Sequence, residues 1–117
     1  MGAKERLEQT NALIESLMAR YPTETKAFLH FMKASASGKA LSAKYKELVN
    51  VALAVAAQCE WCIALHVKGA LDNGATRDEI MEAAFQAVLM HGGPAMMYLT
   101  PLVEALDAFE AEGSEQK

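Results

Sequence analysis

Residues 48–57 read LVNVALAVAA, and every residue of this stretch except Asn50 is apolar. A helix that is apolar on all sides has to be buried on most of them. The stretch is about half as long as the roughly 18 apolar residues of a membrane-spanning helix, so we expect a buried helix in a globular protein. A chain of 117 residues has a limited interior, and we therefore expect this helix to be buried partly against another subunit.

The residues before this stretch predict three helices. Apolar residues at three- and four-residue spacings predict a first helix over residues 3–20. Pro22 is suited to the first position of a second helix and Gly38 to its end. Ser42 has the side chain of an N-cap and predicts that the central helix begins at the next residue. The buried face of the second helix is expected to consist of its large apolar residues: Phe28, Leu29, Phe31 and Met32.

The residues after the stretch predict two further helices. A fourth helix is expected over residues 59–71, with Gly74 just beyond its end. A break near Gln58 is needed to separate it from the third helix, although neither Gly nor Pro marks one there. Thr76 and Glu79 have the spacing of a capping box, which predicts the start of a fifth helix.

The C-terminal part is predicted to be helical up to a polar tail at residues 110–117. Pro94 follows two glycines and is suited to start a helix, whereas Pro101 must kink or restart it, with Thr100 as the new cap. No alternation of polar and apolar residues predicts a strand. We therefore expect an all-α fold: a single domain over residues 1–117 with about six helices and a motif-bearing core at residues 41–106.

Composition excludes several classes of partner. The chain has 11 Lys and Arg residues against 15 Asp and Glu, a formal net charge of -4. This balance argues against nucleic acid and against an anionic membrane surface. The N-terminal residues lack the apolar segment of a signal peptide, so we expect a cytoplasmic protein. In that compartment two cysteines do not ordinarily form a structural disulfide.

The two cysteines, Cys59 and Cys62, form a C-x-x-C pair. This spacing brings the two sulfur atoms one helical turn apart, close enough for a reversible disulfide. Unpaired amides and the dipole at a helix N-terminus stabilise a thiolate, which is the nucleophilic form of cysteine. By this criterion alone, Cys59 is expected to be the more reactive thiol.

His66 and Glu47 are the candidate proton carriers. His66 lies four residues after Cys62, on the same helical face, where it can exchange a proton with a thiol near neutral pH. Glu47 directly precedes the apolar stretch, and we expect partial burial to raise its pKa towards that of a useful base. The candidate catalytic residues are therefore Glu47, Cys59, Cys62 and His66.

Two simpler interpretations compete with a redox site. The cysteine pair could be incidental in a core that tolerates cysteine. Alternatively, Cys59, Cys62 and His66 could bind zinc with Glu47 as the fourth ligand, although zinc sites usually take their second ligand pair from a distant loop. Trp61, between the two cysteines, is expected to be a packing or interface residue.

The combined pattern resembles the carboxymuconolactone decarboxylase family, and within it the alkyl hydroperoxidase D-like branch. The matching residues are Glu47, then Cys59 and Cys62 after eleven intervening residues, then His66 after three more. Similar segments follow downstream: NGAT at 73–76, EI at 79–80 and GGP at 92–94.

This resemblance implies an all-helical protein that assembles into trimers or hexamers and reduces hydroperoxides through a redox-active cysteine pair. It implies that Glu47 is the general base and that His66 relays the proton through a water molecule. Cys62 would attack the peroxide, and Cys59 would resolve the product into a disulfide. An external dithiol or a thioredoxin-like donor would then reduce the pair again. The resemblance implies no metal and no organic cofactor.

Two other functions are left open. Glu47 and His66 could decarboxylate or isomerise a lactone, although the decarboxylases of this family lack the cysteine pair. Alternatively, the protein could be a non-enzymatic oligomer whose disulfide senses the redox state. Activity without thiols would favour the lactone reaction, and a disulfide-dependent change of mass without turnover would favour the sensor.

Overall fold

The computed structural model describes the backbone of residues 1–115 and the side chains of residues 1–113. Over these residues the chain is helical, without a strand, so the all-α prediction is confirmed. Six of the helices have 13 residues or more, and one has five. The helices are α1 (Ala3–Arg20), α2 (Pro22–Ser35), α3 (Ala43–Ala56), α4 (Glu60–Asp72), α5 (Arg77–His91), α6 (Gly93–Met97) and α7 (Leu99–Glu115).

The α4 helix is the centre of the packing, since it contacts α1, α3 and α7 closely, and α3 in turn packs on α5. Burial of branched apolar side chains at these contacts is the main stabilising contribution. Because three helices pack against α4, its backbone is held in place, and so are the positions of the side chains that it carries. The largest fully buried side chains are Ile63, Ile80, Leu102, Leu106, Val51, Val55 and Val67.

Helix starts follow the capping residues of the sequence. The Ser42 side chain accepts a hydrogen bond from the backbone amide of Tyr45 at 3.2 Å, at the N-terminus of α3. Thr76 and Glu79 form the expected capping box, each side chain bonded to the backbone amide of the other. Pro22 occupies the first turn of α2. These predicted starts are confirmed.

The α3 helix carries most of the apolar stretch. On one side, Val51, Ala54 and Val55 are buried in the core. On the other side, Val49 and Leu53 are 49% and 61% exposed. Within this chain, burial is therefore one-sided, and α3 presents an outward apolar strip. Among the described residues no helix, α3 included, is long and apolar enough to cross a membrane.

The predicted buried face of α2 is wrong. None of its residues is buried, and Phe28 and Phe31 are 61% and 65% exposed. The reason lies in the packing: α2 contacts α1, its neighbour in the chain, but stands away from the core helices. Its apolar side chains border a groove shared with α3.

The end of α2 also differs from the prediction. The helix ends at Ser35, with Ala36 as its C-cap, ahead of Gly38. Lys46 of α3 donates hydrogen bonds to the carbonyl oxygens of Ala36, at 3.0 Å, and of Gly38. A cationic side chain can satisfy the last carbonyl groups of a helix and interact favourably with its dipole, so a glycine cap is not needed here.

The final helix corrects two expectations. It begins at Leu99, so Thr100 lies inside it and is not a cap, and Pro101 occupies the first turn. Amides of the first turn have no partner within the helix, and proline is tolerated there. The helix also continues into the predicted tail as far as Glu115, and Arg77 of α5 pairs with Glu110 at 3.2 Å. Residues 116–117 of that tail lie outside the described residues.

Candidate redox site

The turn between α3 and α4 determines where the cysteine pair lies. Gln58 has a φ of 57°, in the left-handed region. Its backbone amide donates to the carbonyl of Val55 at 3.1 Å, and that of Cys59 donates to Ala54 at 3.2 Å. This is the hydrogen-bond pattern of a Schellman motif, which usually has glycine at the left-handed position. The break near Gln58 is therefore made without glycine or proline.

Cys59 is the N-cap of α4 and forms a disulfide with Cys62, with their Cα atoms 5.2 Å apart. The bond agrees with the one-turn spacing of the pair, and its reversibility stays a prediction. The backbone amide of Cys62 donates a hydrogen bond of 3.1 Å to the sulfur of Cys59. The positive end of the α4 dipole therefore acts on the Cys59 sulfur.

Cys62 has different surroundings. It lies in the first turn of α4 and packs against the hydrophobic core. His66 follows it by four residues, so both side chains lie on one face of the helix. The Cys59 sulfur thus accepts a hydrogen bond from a backbone amide, whereas Cys62 lies one helical turn before His66.

Glu47 and His66 are in contact across the α3–α4 interface. Oε2 of Glu47 lies 3.3 Å from Nδ1 of His66, and Oε1 of Glu47 accepts a hydrogen bond from Nδ2 of Asn50 at 3.1 Å. The side chains of Glu47 and His66 are 21% and 23% exposed. An ionised carboxylate can only accept hydrogen bonds. It therefore favours the tautomer of His66 with the proton on Nδ1, which leaves a lone pair on Nε2.

The pKa of Glu47 corrects a prediction. Burial, the largest single influence, raises this pKa as expected, but hydrogen bonds from His66 and Asn50 and the charge of His66 together lower it below 4.5. Hydrogen bonds to the charged form of a carboxyl favour that form. Glu47 is consequently ionised at neutral pH. It is suited to orient and polarise His66, and it is a poor proton acceptor itself.

Gly69 lies directly against the carboxylate. A Cβ atom on Gly69 would overlap Oε2 of Glu47 and would lie 2.9 Å from its Cδ. The carboxylate therefore has Asn50 on one oxygen, His66 on the other, and the backbone of α4 beneath it.

Side chains of α1 hold the two residues between the cysteines. The guanidinium of Arg6 lies 4.3 Å from the ring centroid of Trp61 and forms an ion pair with Glu60. The indole Nε1 of Trp61 donates a hydrogen bond of 2.9 Å to Oε1 of Gln9. Trp61 is 45% exposed, and its contacts link the N-terminal helix to the redox pair.

A groove of about 530 Å³ opens beside the Glu47–His66 pair, between α2 and α3. This volume is in the range of sites for small molecules. Glu47, His66 and Asn50 provide polar groups on its wall, and neither cysteine is among the described residues that line it. Apolar side chains form much of the remainder: Phe28, Phe31, Met32, Leu41 and Val49.

The zinc ligand set is not assembled. Among the described residues, no group of three or more His, Cys, Asp and Glu side chains is arranged to hold a metal ion. Both sulfur atoms are bonded to each other, and Glu47 and His66 are directed at one another.

Four neighbours of the site were not among the sequence candidates. Two of them carried a signal: Asn50 is the only polar residue in the apolar stretch, and Gly69 interrupts a helical pattern. Arg6 and Gln9 carried none, because they lie 54 and 52 positions before their partners Glu60 and Trp61 and reach them only through the packing of α1 on α4.

Proteins of similar sequence match this chain over most of its length. It is 36% identical over 108 residues to an uncharacterized protein from Cupriavidus necator. The aligned residues cover 92% of this chain and 96% of the relative. It is 40% identical over 84 residues to uncharacterized protein 4 in the cox locus of Paracoccus denitrificans. This alignment covers 72% of this chain and 76% of the relative.

Solved structures have the same fold. Apo-lpg0406, a carboxymuconolactone decarboxylase family protein from Legionella pneumophila, is 35% identical with a TM-score of 0.83, over 93% of this chain and 95% of that one. TM1620 from Thermotoga maritima is 26% identical with a TM-score of 0.88, over 96% of this chain and 98% of that one.

The sequence model of one family matches residues 22–105, a range that contains the cysteine pair, Glu47 and His66. This range also contains helices α3 and α4, which carry these residues. The chain therefore belongs to the carboxymuconolactone decarboxylase family.

Proposed function

We propose that the protein is a thiol-dependent peroxidase, in which the Cys59–Cys62 pair reduces a hydroperoxide and an external dithiol reduces the pair again. The observation that carries the proposal is the disulfide on the same face of α4 as His66, which Glu47 holds at 3.3 Å. A neighbouring base is one of the means by which a thiol nucleophile is activated. An involvement in the antioxidative response has been suggested for TM1620 of Thermotoga maritima, a protein of the same fold.

The reaction begins with the reduced pair. The Cys62 thiolate attacks one oxygen of the hydroperoxide, the O–O bond breaks, and the leaving alkoxide takes up a proton and departs as an alcohol. Cys62 is then a sulfenic acid. The Cys59 thiolate attacks the Cys62 sulfur, a disulfide forms, and hydroxide leaves as water after it is protonated. The peroxide gains two electrons, and the cysteine pair loses two.

His66 is the proton carrier of this scheme. Its Nε2 takes the proton of the Cys62 thiol and returns it to the leaving oxygen, directly or through a water molecule. Glu47 stabilises the resulting imidazolium and keeps the ring in place, as the carboxylate of a catalytic triad does. The general-base role that the family resemblance implies for Glu47 is, in our proposal, exerted through His66, because the pKa of Glu47 is lowered.

The two sulfurs have distinct roles that suit their surroundings. Cys59 receives the backbone amide of Cys62 at 3.1 Å, which stabilises it as a thiolate ready to resolve the sulfenic acid. Cys62 is next to His66 along α4 and is the one that His66 can deprotonate.

Re-reduction requires a dithiol or a thioredoxin-like protein. One donor thiolate attacks the disulfide and forms a mixed disulfide, which the second donor thiol releases. We propose that this occurs in the cytoplasm, where thiol-reducing systems operate.

We also propose that the protein works as a homo-oligomer, a trimer or a hexamer by analogy with the family. Support comes from the apolar side chains that this chain leaves exposed on α2, α3 and α5, among them Phe31, Leu53 and Leu89. Exposed apolar area on this scale marks interaction surfaces. Light scattering should give a multiple of the chain mass, and a mass near 12.7 kDa at micromolar concentration would contradict the proposal.

The peroxidase activity is tested by steady-state turnover of an organic hydroperoxide with dithiothreitol as the donor. The wild-type protein should turn over, and the Cys62→Ser variant should not, because it lacks the thiol that attacks the peroxide. Trp61→Phe is a suitable control, because it keeps both thiols. Equal turnover by Cys62→Ser and the wild-type protein would refute the proposal.

One observation favours a second candidate, a lactone decarboxylation or isomerisation. The groove of about 530 Å³ is lined by Glu47 and His66, whereas the described residues around it do not include either cysteine. A substrate in the groove would contact Glu47 and His66 but neither cysteine. Decarboxylation of a carboxymuconolactone that persists in a Cys59→Ser/Cys62→Ser variant would support this candidate, and absence of the reaction in the wild-type protein would remove it.

A further inference from the structure

We propose that Gly69 is a positioning residue, which leaves the space that the Glu47 carboxylate must occupy to reach His66. The inference rests on the proposed role of the Glu47–His66 pair, although its geometry is independent of the reaction. Gly69 lies in the interior of α4, three residues after His66 and on the same face. It is not one of the glycines with positive φ, so its backbone conformation does not require glycine.

The space in front of Gly69 is filled by Glu47. A Cβ atom at this position would overlap Oε2 of Glu47, and it would lie 2.9 Å from Cδ and 3.5 Å from Cγ. Oε2 is the oxygen that lies 3.3 Å from Nδ1 of His66. Any side chain at position 69 therefore competes with the one oxygen that holds His66.

Helix formation gives no reason for a glycine at this position. Glycine is less favourable than alanine in a helix interior, because it loses more conformational freedom on folding. Gly113 of α7 provides a matched control: it also lies in a helix, but a Cβ there meets no described atom within 4 Å. Replacement by alanine should therefore act on the site at Gly69 and only on helix propensity at Gly113.

The overlap can be relieved without unfolding. The Glu47 side chain is 21% exposed and borders the groove between α2 and α3, so a methyl group at position 69 can turn the carboxylate into the groove. We expect Gly69→Ala to fold with α4 intact and to lose the Glu47–His66 contact.

Nitrogen-15 NMR of the His66 ring tests the contact without reference to any activity. Neutral His66 should carry its proton on Nδ1 in the wild-type protein and in Gly113→Ala. In Gly69→Ala and in Glu47→Ala, the population with the proton on Nε2 should rise, because Nδ1–H has lost its acceptor. An unchanged tautomer in folded Gly69→Ala would overturn the inference. If Gly69→Ala does not fold, Gly69→Ala/Glu47→Ala should, since the overlapping carboxylate is gone, and failure of both to fold would also overturn it.

Turnover provides the second readout. Gly69→Ala should reduce hydroperoxide turnover by about 100-fold, the cost of a catalytic group displaced by about 1 Å. In a Glu47→Ala background the same substitution should have no further effect, because nothing is left to displace. A double variant whose loss of turnover is the product of the two single losses would contradict the inference. If the wild-type protein shows no peroxide turnover, the proposed function fails, and the NMR comparison still decides the role of Gly69.

Discussion

Oε2 of Glu47 on α3 lies 3.3 Å from Nδ1 of His66 on α4, although 19 positions separate the two residues in the chain. The contact joins the apolar helix to the helix that carries the cysteines. It also orients the imidazole, since an ionised carboxylate accepts a hydrogen bond and leaves Nε2 of the ring with its lone pair.

Glu47 and His66 should act as a unit. We expect Glu47→Gln and His66→Ala each to slow hydroperoxide turnover by about 100- to 10,000-fold. The double variant should be no slower than the worse single variant, because either change breaks the same proton path. Initial rates and thermal melts measure both effects, with His91→Ala, an exposed histidine at the end of α5, as the control. Full activity in folded Glu47→Gln would remove Glu47 from the mechanism.

Glu47 should also contribute to stability in a pH-dependent manner. Its pKa in the folded protein is lowered from 4.5, so the folded state binds its proton less readily than the unfolded state does. The contribution is therefore present above the unfolded pKa and lost as the pH falls through the folded pKa. The advantage of the wild-type protein over Glu47→Gln in urea unfolding should shrink from about pH 5 to about pH 3. An advantage that grows in this interval would contradict the lowered pKa.

The sequence predicts the end of α4 correctly, because a glycine occupies a position that needs a positive φ. Gly74 has a φ of 88° at the end of α4, and the amide of Ala75 donates to the carbonyl of Ala70, as expected for a glycine-capped helix. The end of α3 has the same hydrogen-bond pattern with Gln58 in the glycine position. The sequence alone could not establish this break, because glutamine has no preference for the left-handed region.

Tertiary contacts account for what the sequence did not predict. Partial burial of Glu47 was predictable from the apolar stretch beside it, but the direction of its pKa depends on hydrogen bonds from Asn50 and His66. The exposure of Phe28 and Phe31 likewise depends on where α2 lies relative to the core. Amphipathic spacing indicates which side of a helix is apolar but not whether another helix covers it.

Gln58 provides a test of the α3–α4 turn. A β-branched residue is strained at a positive φ, so Gln58→Val should lower the free energy of unfolding by about 1–2 kcal/mol. Gln58→Gly removes the Cβ atom and should leave stability unchanged or higher. Chemical unfolding of the two variants measures the difference. Equal destabilisation by valine and glycine would show that the turn does not require the left-handed conformation.

Arg6 should couple α1 to the cysteine pair. Arg6→Ala removes the ion pair with Glu60 and the stacking on Trp61, which should lower the free energy of unfolding by about 1–2 kcal/mol. The segment between the cysteines is then less restrained, and we expect dithiothreitol to reduce the disulfide faster. Arg20→Ala, at the exposed end of α1, is the matched control. Equal reduction rates in the two variants would mean that Arg6 does not influence the pair.

The most direct test of the central claim is a single oxidation of the reduced protein by one equivalent of organic hydroperoxide, without a donor. We expect one alcohol per protomer, the loss of two hydrogen atoms by mass spectrometry and a disulfide within one peptide that contains Cys59 and Cys62. In Cys59→Ser the reaction should stop at a sulfenic acid on Cys62, which dimedone traps. Thiols that survive the oxidation, or a Cys62→Ser variant that consumes peroxide as fast as the wild-type protein, would contradict the proposed peroxidase.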